Sequence, residues 1–497
     1  MTSAKSITDD GSITSGSDFL QLDIGAAPAG GRAQWLAERL RLAIADGRLP
    51  VGSRLPATRV LAGELGVSRG VVTEAYQRLG EAGHLAGRGR GGTVVVSAPA
   101  APRQAATEAP AKIGPFAAQP DIDVFDTLRA APARIDLSPG VPDLAAFPRT
   151  AWLRAERAVL DALAPADFGY GDPRGTPALR AAVAGWLARN RGILVDPAEV
   201  IVVAGVSQAL GLLAQVLRAG GITSVAVEDP GSLGVRQHLN NWLVDAPPVT
   251  VDDRGLRVDE LRASGVPAVL LTPAHQFPTG VVLDGDRRRQ LARWAEGGGL
   301  IVEDDYDAEH RYDRPPVPAL RAMLPDHVCY TGSVSKLLAP ALRTGWMLAP
   351  SRYRDALVAA KRNADLGNAA LPQLVLAELM SSGTLERHLR LLRRRHVRRR
   401  DAMISAIATH LPGAVVHGAA AGLHLMITLP GTVDDVALAA AALAHGVKVQ
   451  PLSWHYQRQG PPGLVLGYAA SAPADIEAAI ATLGHLLSAD QGQPHVV

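Results

Sequence analysis

"YTGSVSKLLAPALRTGWML", residues 330–348, sets one lysine, Lys336, among small hydroxyl residues with an arginine, Arg343, seven positions on. It follows a series of short β-branched runs. "VIVVAG" (200–205), "SVAVED" (224–229), "AVLLTP" (268–273) and "GLIVEDDY" (299–306) alternate with amphipathic helical patterns such as "SQALGLLAQVL". Short apolar strands separated by helices predict an α/β unit with a mostly parallel sheet covered on both faces.

An amine that forms a Schiff base with an aldehyde cofactor must be held at a fixed point. It also needs phosphate donors and a partner for the pyridine ring. Lys336 is the candidate amine. Ser333, Ser335 and Arg343 are candidate phosphate ligands, Arg343 through its bidentate fork. "AGVSQAL" (204–210) is a strand-to-helix junction. Its backbone N–H groups around Val206 and Ser207, with the Ser207 hydroxyl, lie at a positive helix end suited to an anion. Asp304 and Tyr306 are two apart, so on a strand they face one side. Asp304 would hold a pyridine nitrogen protonated and Tyr306 would donate to the ring's phenolate oxygen. In "TPAHQFPTG" (272–280), His275 and Gln276 would meet the ring edge. All these segments fall at strand C-termini, where α/β sheets place ligands. No metal site is expected.

A second stretch, "GSRLPATRVLAGELGVSRGVVTEAYQRL" (52–79), reads differently. Two helices flank a tight turn at Gly66, which is free to adopt the left-handed conformation. Ser68 is placed to cap the second helix. Val72, Tyr76 and Leu79 would face a core together with Leu61, Leu65 and, from the preceding helix, Leu36, Leu40, Ala43 and Ile44. Arg69 and Thr73 would face outward. "RGRGGTVVV" (88–96) reads as a wing. Residues 30–97 carry ten arginines against five acids, a net of +5. That is the charge a phosphate backbone attracts. The alternative is a helical hairpin used for packing or dimerisation.

The whole chain, 497 residues with a net charge of +2, is not a generic polyanion binder. Its length predicts two or three domains. A single cysteine, Cys329, excludes an intrachain disulfide and favours a reducing compartment. With no signal-peptide core and no long apolar run, a cytoplasmic location is expected. Residues 1–28 read as a disordered N-terminus, 29–97 as the DNA reader, 98–133 as an Ala/Pro-rich linker and 134–490 as the α/β domain. "RHLRLLRRRHVRRR" (387–400) holds eight arginines. It reads as a long helix with a charged back and Leu389, Leu392 and Val397 buried, rather than as a second DNA track.

Residues 30–97 resemble the GntR-type winged helix-turn-helix through "GRLPVGSRLPATRVLA", "ELGVSRGVVTEAYQRL" and "GRGGT". The resemblance implies phosphate or base contacts at Arg54, Arg59, Ser68 and Arg69, and wing contacts at Arg88 and Arg90. Gly70, Val71 and Ala57 depart from that family's preferred hydroxyl residues, which bears on target sequence.

From about Ile135 to Leu487 the chain resembles fold-type I pyridoxal-phosphate aminotransferases. The marks are "PGVPDLAAFP", "YGDPRGTPALR", "VEDPG", "HQFPTG", "VEDDYD" and "SVSKLLAPALRTGW". The combination looks like a MocR-type regulator of the GntR superfamily. The resemblance implies a homodimeric transcription factor using pyridoxal 5'-phosphate as cofactor or effector, and Tyr170 reaching the neighbouring subunit's site. Two departures stand out. Ser232 occupies the position after "DPG" where an aromatic residue usually stacks on the cofactor. In "GLVLGYAAS" (463–471), where aminotransferases keep an arginine for the substrate α-carboxylate, there is none. Ordinary transamination is thereby disfavoured, although an active aminotransferase with a DNA-binding arm and a cofactor-free scaffold remain alternatives.

Overall fold

The computed structural model describes residues 22–28, 30–89, 92–98, 114–116, 120–312, 317–431 and 433–491. The chain divides into two compact units, residues 1–112 and 113–497. Arg90, most of the expected disordered N-terminus and much of the expected linker lie outside the described residues.

In the first unit, helices Arg32–Ala45, Thr58–Glu64 and Arg69–Glu81 pack on a three-stranded antiparallel sheet. Strand Thr93–Val95 lies between Arg54–Leu55 and Leu85–Gly87. The spacing of apolar residues explains the packing. Leu36, Leu40, Ala43 and Ile44 from one helix meet Leu61 and Leu65, and Val72, Tyr76 and Leu79, in one buried cluster. Gly66 takes φ +64° at the turn, the region a side chain resists. Ser68 occupies the cap position with extended backbone but makes no side-chain cap hydrogen bond, contrary to expectation. The Tyr76 hydroxyl instead ties the second helix to the loop, donating to the Pro56 carbonyl at 2.9 Å.

The second unit is built on an eight-stranded sheet. Its order is Ile201–Val203, Gly345–Leu348, Val328–Ser333, Leu300–Asp305, Ala268–Leu271, Ala226–Asp229, Pro248–Asp252 and Gly255–Leu256. The central strands are parallel; Gly345–Leu348 runs antiparallel to both neighbours. Burial on both faces follows from the alternation. Leu300 and Val302 join the cluster of helix Val206–Ala219, while Ile301 joins that of helix Gly285–Glu296. A separate antiparallel sheet of Val415–His417, His424–Thr428, Gly463–Gly467 and Gln450–Pro451 packs with helices Thr384–His410 and Pro473–Gln491.

Two sequence expectations need correction. Residues Val124–Ala130, inside the stretch read as linker, form a helix. Val124 and Leu128 are buried with Leu233 and Trp454, and Phe116 stacks on Trp454 at 5.3 Å. Burial of this apolar face outweighs the local Ala/Pro-rich composition. The arginine-rich segment is indeed one helix, but its buried stripe is Leu385, His388, Leu392, His396, Arg399 and Met403. Leu389 and Val397 are only half-buried. Arg395 and Arg399 both reach Asp143 at 2.8 Å, and Arg393 donates to the Tyr312 carbonyl, so part of the charge braces the fold. Among the described residues no helix is long and apolar enough to cross a membrane.

Candidate cofactor site and DNA-reading surface

The C-terminal ends of the parallel strands open into two adjoining cavities of about 220 and 450 Å³. Asp304, Tyr306 and Lys336 line both, as do Ser232 and Phe277. Strand Leu300–Asp305 delivers Asp304 and, one residue past its end, Tyr306 to the same side. Lys336 follows strand Val328–Ser333, and its Nζ donates to the Gly140 carbonyl. A Cβ at Gly140 would lie 2.9 Å from that Nζ, so the backbone itself approaches the amine.

The larger cavity gathers the expected anion ligands: Val206, Ser207, Ser333, Ser335 and Arg343 all line it. Helix Val206–Ala219 begins there with Gly205 at φ +84°. Its first N–H groups and positive end suit a phosphate. Arg343 is held by donation to the Ala204 carbonyl and has φ +47°. Left-handed backbone at a residue with a side chain costs about 1 kcal/mol or more and persists where surrounding structure enforces it. A Cβ on Gly205 would come 3.3 Å from the Arg343 guanidinium, so glycine leaves room for the fork.

Asp304 is buried, and beyond the 3.3 Å hydrogen bond from Thr331 Oγ1 its carboxylate faces the cavity. Burial, reinforced by the Asp305 carboxylate, pushes its pKa up to about 7. Such a group pairs readily with a cationic ring nitrogen. Burial lowers the Lys336 amine from its ordinary value, opposed by Asp307 and Asp304.

His275 and Gln276 are placed differently from the expectation. Neither lines either of these two cavities. His275 Nδ1 lies 2.9 Å from Asp307 Oδ2 and 3.0 Å from the Tyr306 hydroxyl. A carboxylate accepts, so Nδ1 carries the proton. The Tyr306 hydroxyl, held between His275 and Asp307, stands on the wall of both cavities. Gln276 spends its amide on the loop, donating to Pro230 and Phe277 carbonyls at 2.8 and 2.6 Å and accepting from Thr279. Tyr170 is 94% exposed and lines neither cavity of its own chain.

Sequence reasoning missed Phe125 and Arg129, which line the larger cavity from the short helix, and His424 and Glu228, which line the smaller one. Glu228 accepts from Thr272 N and Oγ1 at 3.0 and 2.8 Å, and burial raises it to about 7 against those bonds. Ser232 does stand on the cavity wall, where its hydroxyl caps the next helix by accepting from Val235 N at 3.3 Å.

On the first unit, Arg54, Arg59, Ser68, Arg69, Thr73 and Arg88 are not buried; each is exposed. Its arginines sort by partner. Arg41, Arg48 and Arg78 pair with Glu38, Asp46 and Glu74. Arg69 meets only the Thr58 hydroxyl, at 3.3 Å, among the described hydrogen bonds. Surface pairs of the first kind contribute little to stability but cancel charge; unpaired guanidinium groups keep theirs for phosphates.

A winged DNA reader and an aminotransferase-type fold on one chain define a composite regulator. Residues 32–95 match the model of bacterial regulatory proteins of the gntR family, and residues 133–483 that of aminotransferase class I and II. The chain is 32% identical over 460 residues to the probable rhizopine catabolism regulatory protein MocR of Rhizobium meliloti, covering 90% of this chain and 92% of that one. It is 32% identical over 448 residues to the pyridoxine biosynthesis transcriptional regulator PdxR of Corynebacterium glutamicum, covering 87% and 91%. The fold resembles a Pyrococcus horikoshii kynurenine aminotransferase solved with PMP, at TM-score 0.68 and 26% identity over 75% of this chain and 94% of the other. The chain therefore belongs to the MocR-type transcription regulators, a gntR-family helix-turn-helix joined to an aminotransferase-like domain. It binds DNA through the first of these.

Proposed function

We propose that this regulator holds pyridoxal 5'-phosphate covalently at Lys336 and passes the state of that site to DNA binding. The observation that carries the reading is the convergence of Lys336, Asp304, Tyr306, Ser207, Ser333, Ser335 and Arg343 on two adjoining cavities. The donor set fits the group: a helix start, hydroxyls and a guanidinium for the phosphate, a buried carboxylate for the ring nitrogen, and a phenol for the ring oxygen. Bound pyridoxal phosphate supplies an aldehyde that condenses reversibly with primary amines, losing water. Asp304, as a buried carboxylate, would keep the ring nitrogen protonated. Tyr306, positioned by His275 and Asp307, donates to the ring oxygen. Ser207, Ser333, Ser335 and Arg343 anchor the phosphate, and Phe277 helps exclude water.

Control of vitamin B6 or amino-compound metabolism, response to a small-molecule effector, and homodimerisation with Tyr170 at the neighbour's site belong to the same reading. Turnover of ordinary α-amino acids does not. Strand Gly463–Gly467 is buried and carries no cation, and an unpaired buried carboxylate is costly. The test is the visible spectrum of the full chain with pyridoxal phosphate beside Lys336→Ala, with promoter binding measured on the same samples. A visible band in the parent alone, and a cofactor-dependent change in promoter binding, are expected. Equal spectra would refute the covalent site.

A further inference from the structure

His424 begins a strand of the smaller sheet and lines the 220 Å³ cavity at 1% exposure. Its Nε2 lies 3.2 Å from the Pro278 carbonyl. A carbonyl only accepts, so Nε2 carries the hydrogen and Nδ1 presents a lone pair. That Nδ1 is buried and has no partner. Its ring lies 5.3 Å from that of His275, whose Nε2 is also buried without a partner and, by the argument from Asp307, is likewise an acceptor. Burial holds the His424 pKa down to about 3, so the ring stays neutral at physiological pH. The rest of the wall agrees in sign. Glu228 and Asp304 face the cavity, no arginine lines it, and Lys336 is its one lysine among the described residues.

A buried acceptor without a donor is destabilising, because it has lost its water and gained no partner. A ligand carboxylate entering this cavity would add further acceptors and find no guanidinium on its wall, since Arg129 and Arg343 line the adjoining cavity. A ligand with a hydrogen-bond donor would satisfy what the wall leaves open. We propose that His424 is a specificity-determining residue of the effector pocket, selecting primary amines that carry a second donor, such as a hydroxyl, over amines that carry a carboxylate. This rests on the pyridoxal-phosphate reading above and names the ligand class for that site.

The experiment titrates the pyridoxal-phosphate-loaded full chain with 3-aminopropan-1-ol, β-alanine and n-butylamine, following the visible band. The amino alcohol is expected to act at about 10-fold lower concentration than either of the others, the worth of one buried hydrogen bond. His424→Leu should abolish the advantage over n-butylamine while retaining the band, which shows that the variant folds and loads. His424→Asn, which restores an acceptor, should recover part of it. A band present with β-alanine preferred, or with the amino-alcohol preference unchanged in His424→Leu, overturns this inference alone. No band in the loaded parent overturns the cofactor reading, and this inference with it.

Discussion

His275 Nδ1 stands 2.9 Å from Asp307 Oδ2, and neither residue touches the cavity they serve. The contact fixes the imidazole tautomer, which orients the Tyr306 hydroxyl. Asp307 also helps hold the Lys336 amine protonated, against the effect of burial. Only the neutral amine is a nucleophile. Cofactor uptake by the empty site should therefore accelerate with pH and level off below pH 10.5, the ordinary lysine value. Asp307→Asn removes a charge that raises the amine's pKa, so levelling should move to still lower pH. Stopped-flow growth of the visible band checks this, and a shift to higher pH would contradict the assignment.

Arg191 and Asp305 form an ion pair at 2.5 Å, each side chain 1% exposed, with the Tyr330 hydroxyl also donating to Asp305 at 2.5 Å. Removing one partner strands a buried charge. Arg191→Met should cost about 3–5 kcal/mol in urea unfolding of the second unit. The double change Arg191→Met with Asp305→Leu should cost less than the single one, because no charge remains unpaired.

His388 is buried against Arg395 and His310, and burial, then those neighbours, lowers its pKa to about 4. In the unfolded chain it titrates near 6.5. Above that value both states are neutral and His388 adds no pH dependence. Below it the unfolded state takes up the proton first, so stability falls as pH drops from 6.5 toward 4. Glu228, Glu303 and Asp304, all raised to about 7, act in the opposite sense over part of this window. The histidine is isolated by comparison with His388→Gln. Between pH 7.5 and pH 5 the parent should lose about 2 kcal/mol relative to that variant. Denaturant melts at the two pH values measure it, and an equal pH response would remove His388 as the cause.

Arg59 and Arg69 are exposed on the two motif helices, Arg69 in the first turn of the second. Arg59→Ala should weaken binding to specific and random DNA alike and reduce the salt slope by about 1. Thr73→Val should change the ratio of specific to random-DNA affinity, measured at one salt concentration, and an unchanged ratio would remove Thr73 from base reading. By contrast, replacing Arg390, Arg394 and Arg398 together should leave the salt slope unchanged. A flatter slope in that triple variant would make the long helix a second DNA track.

The winged unit was readable because its signals are local: a core stripe at Val72, Tyr76 and Leu79, and a turn glycine at φ +64°. The cavity-lining positions were readable because strands end where Asp304, Ser333 and the 205–207 junction stand. The helix Val124–Ala130 was hidden because its reason to be helical, Trp454, lies far along the chain. His424 gave no signal, since a single histidine in an apolar strand says nothing about which nitrogen will be left without a partner. His275 and Gln276 stand behind the walls of the two cavities rather than on them. Their type suggested ring contact; the loop's own hydrogen bonds decided otherwise.

Adjacent carboxylates on strand Leu300–Asp305 serve opposite faces: Asp304 looks into the cavity, and Asp305 is locked to Arg191 beneath the sheet. Strand side chains alternate, so a slip of one residue would swap them. The cavity would lose its acid in the same movement that strands Arg191. Stability and ligand binding thus audit the same alignment, and a misthreaded strand cannot survive as a well-folded but deaf regulator.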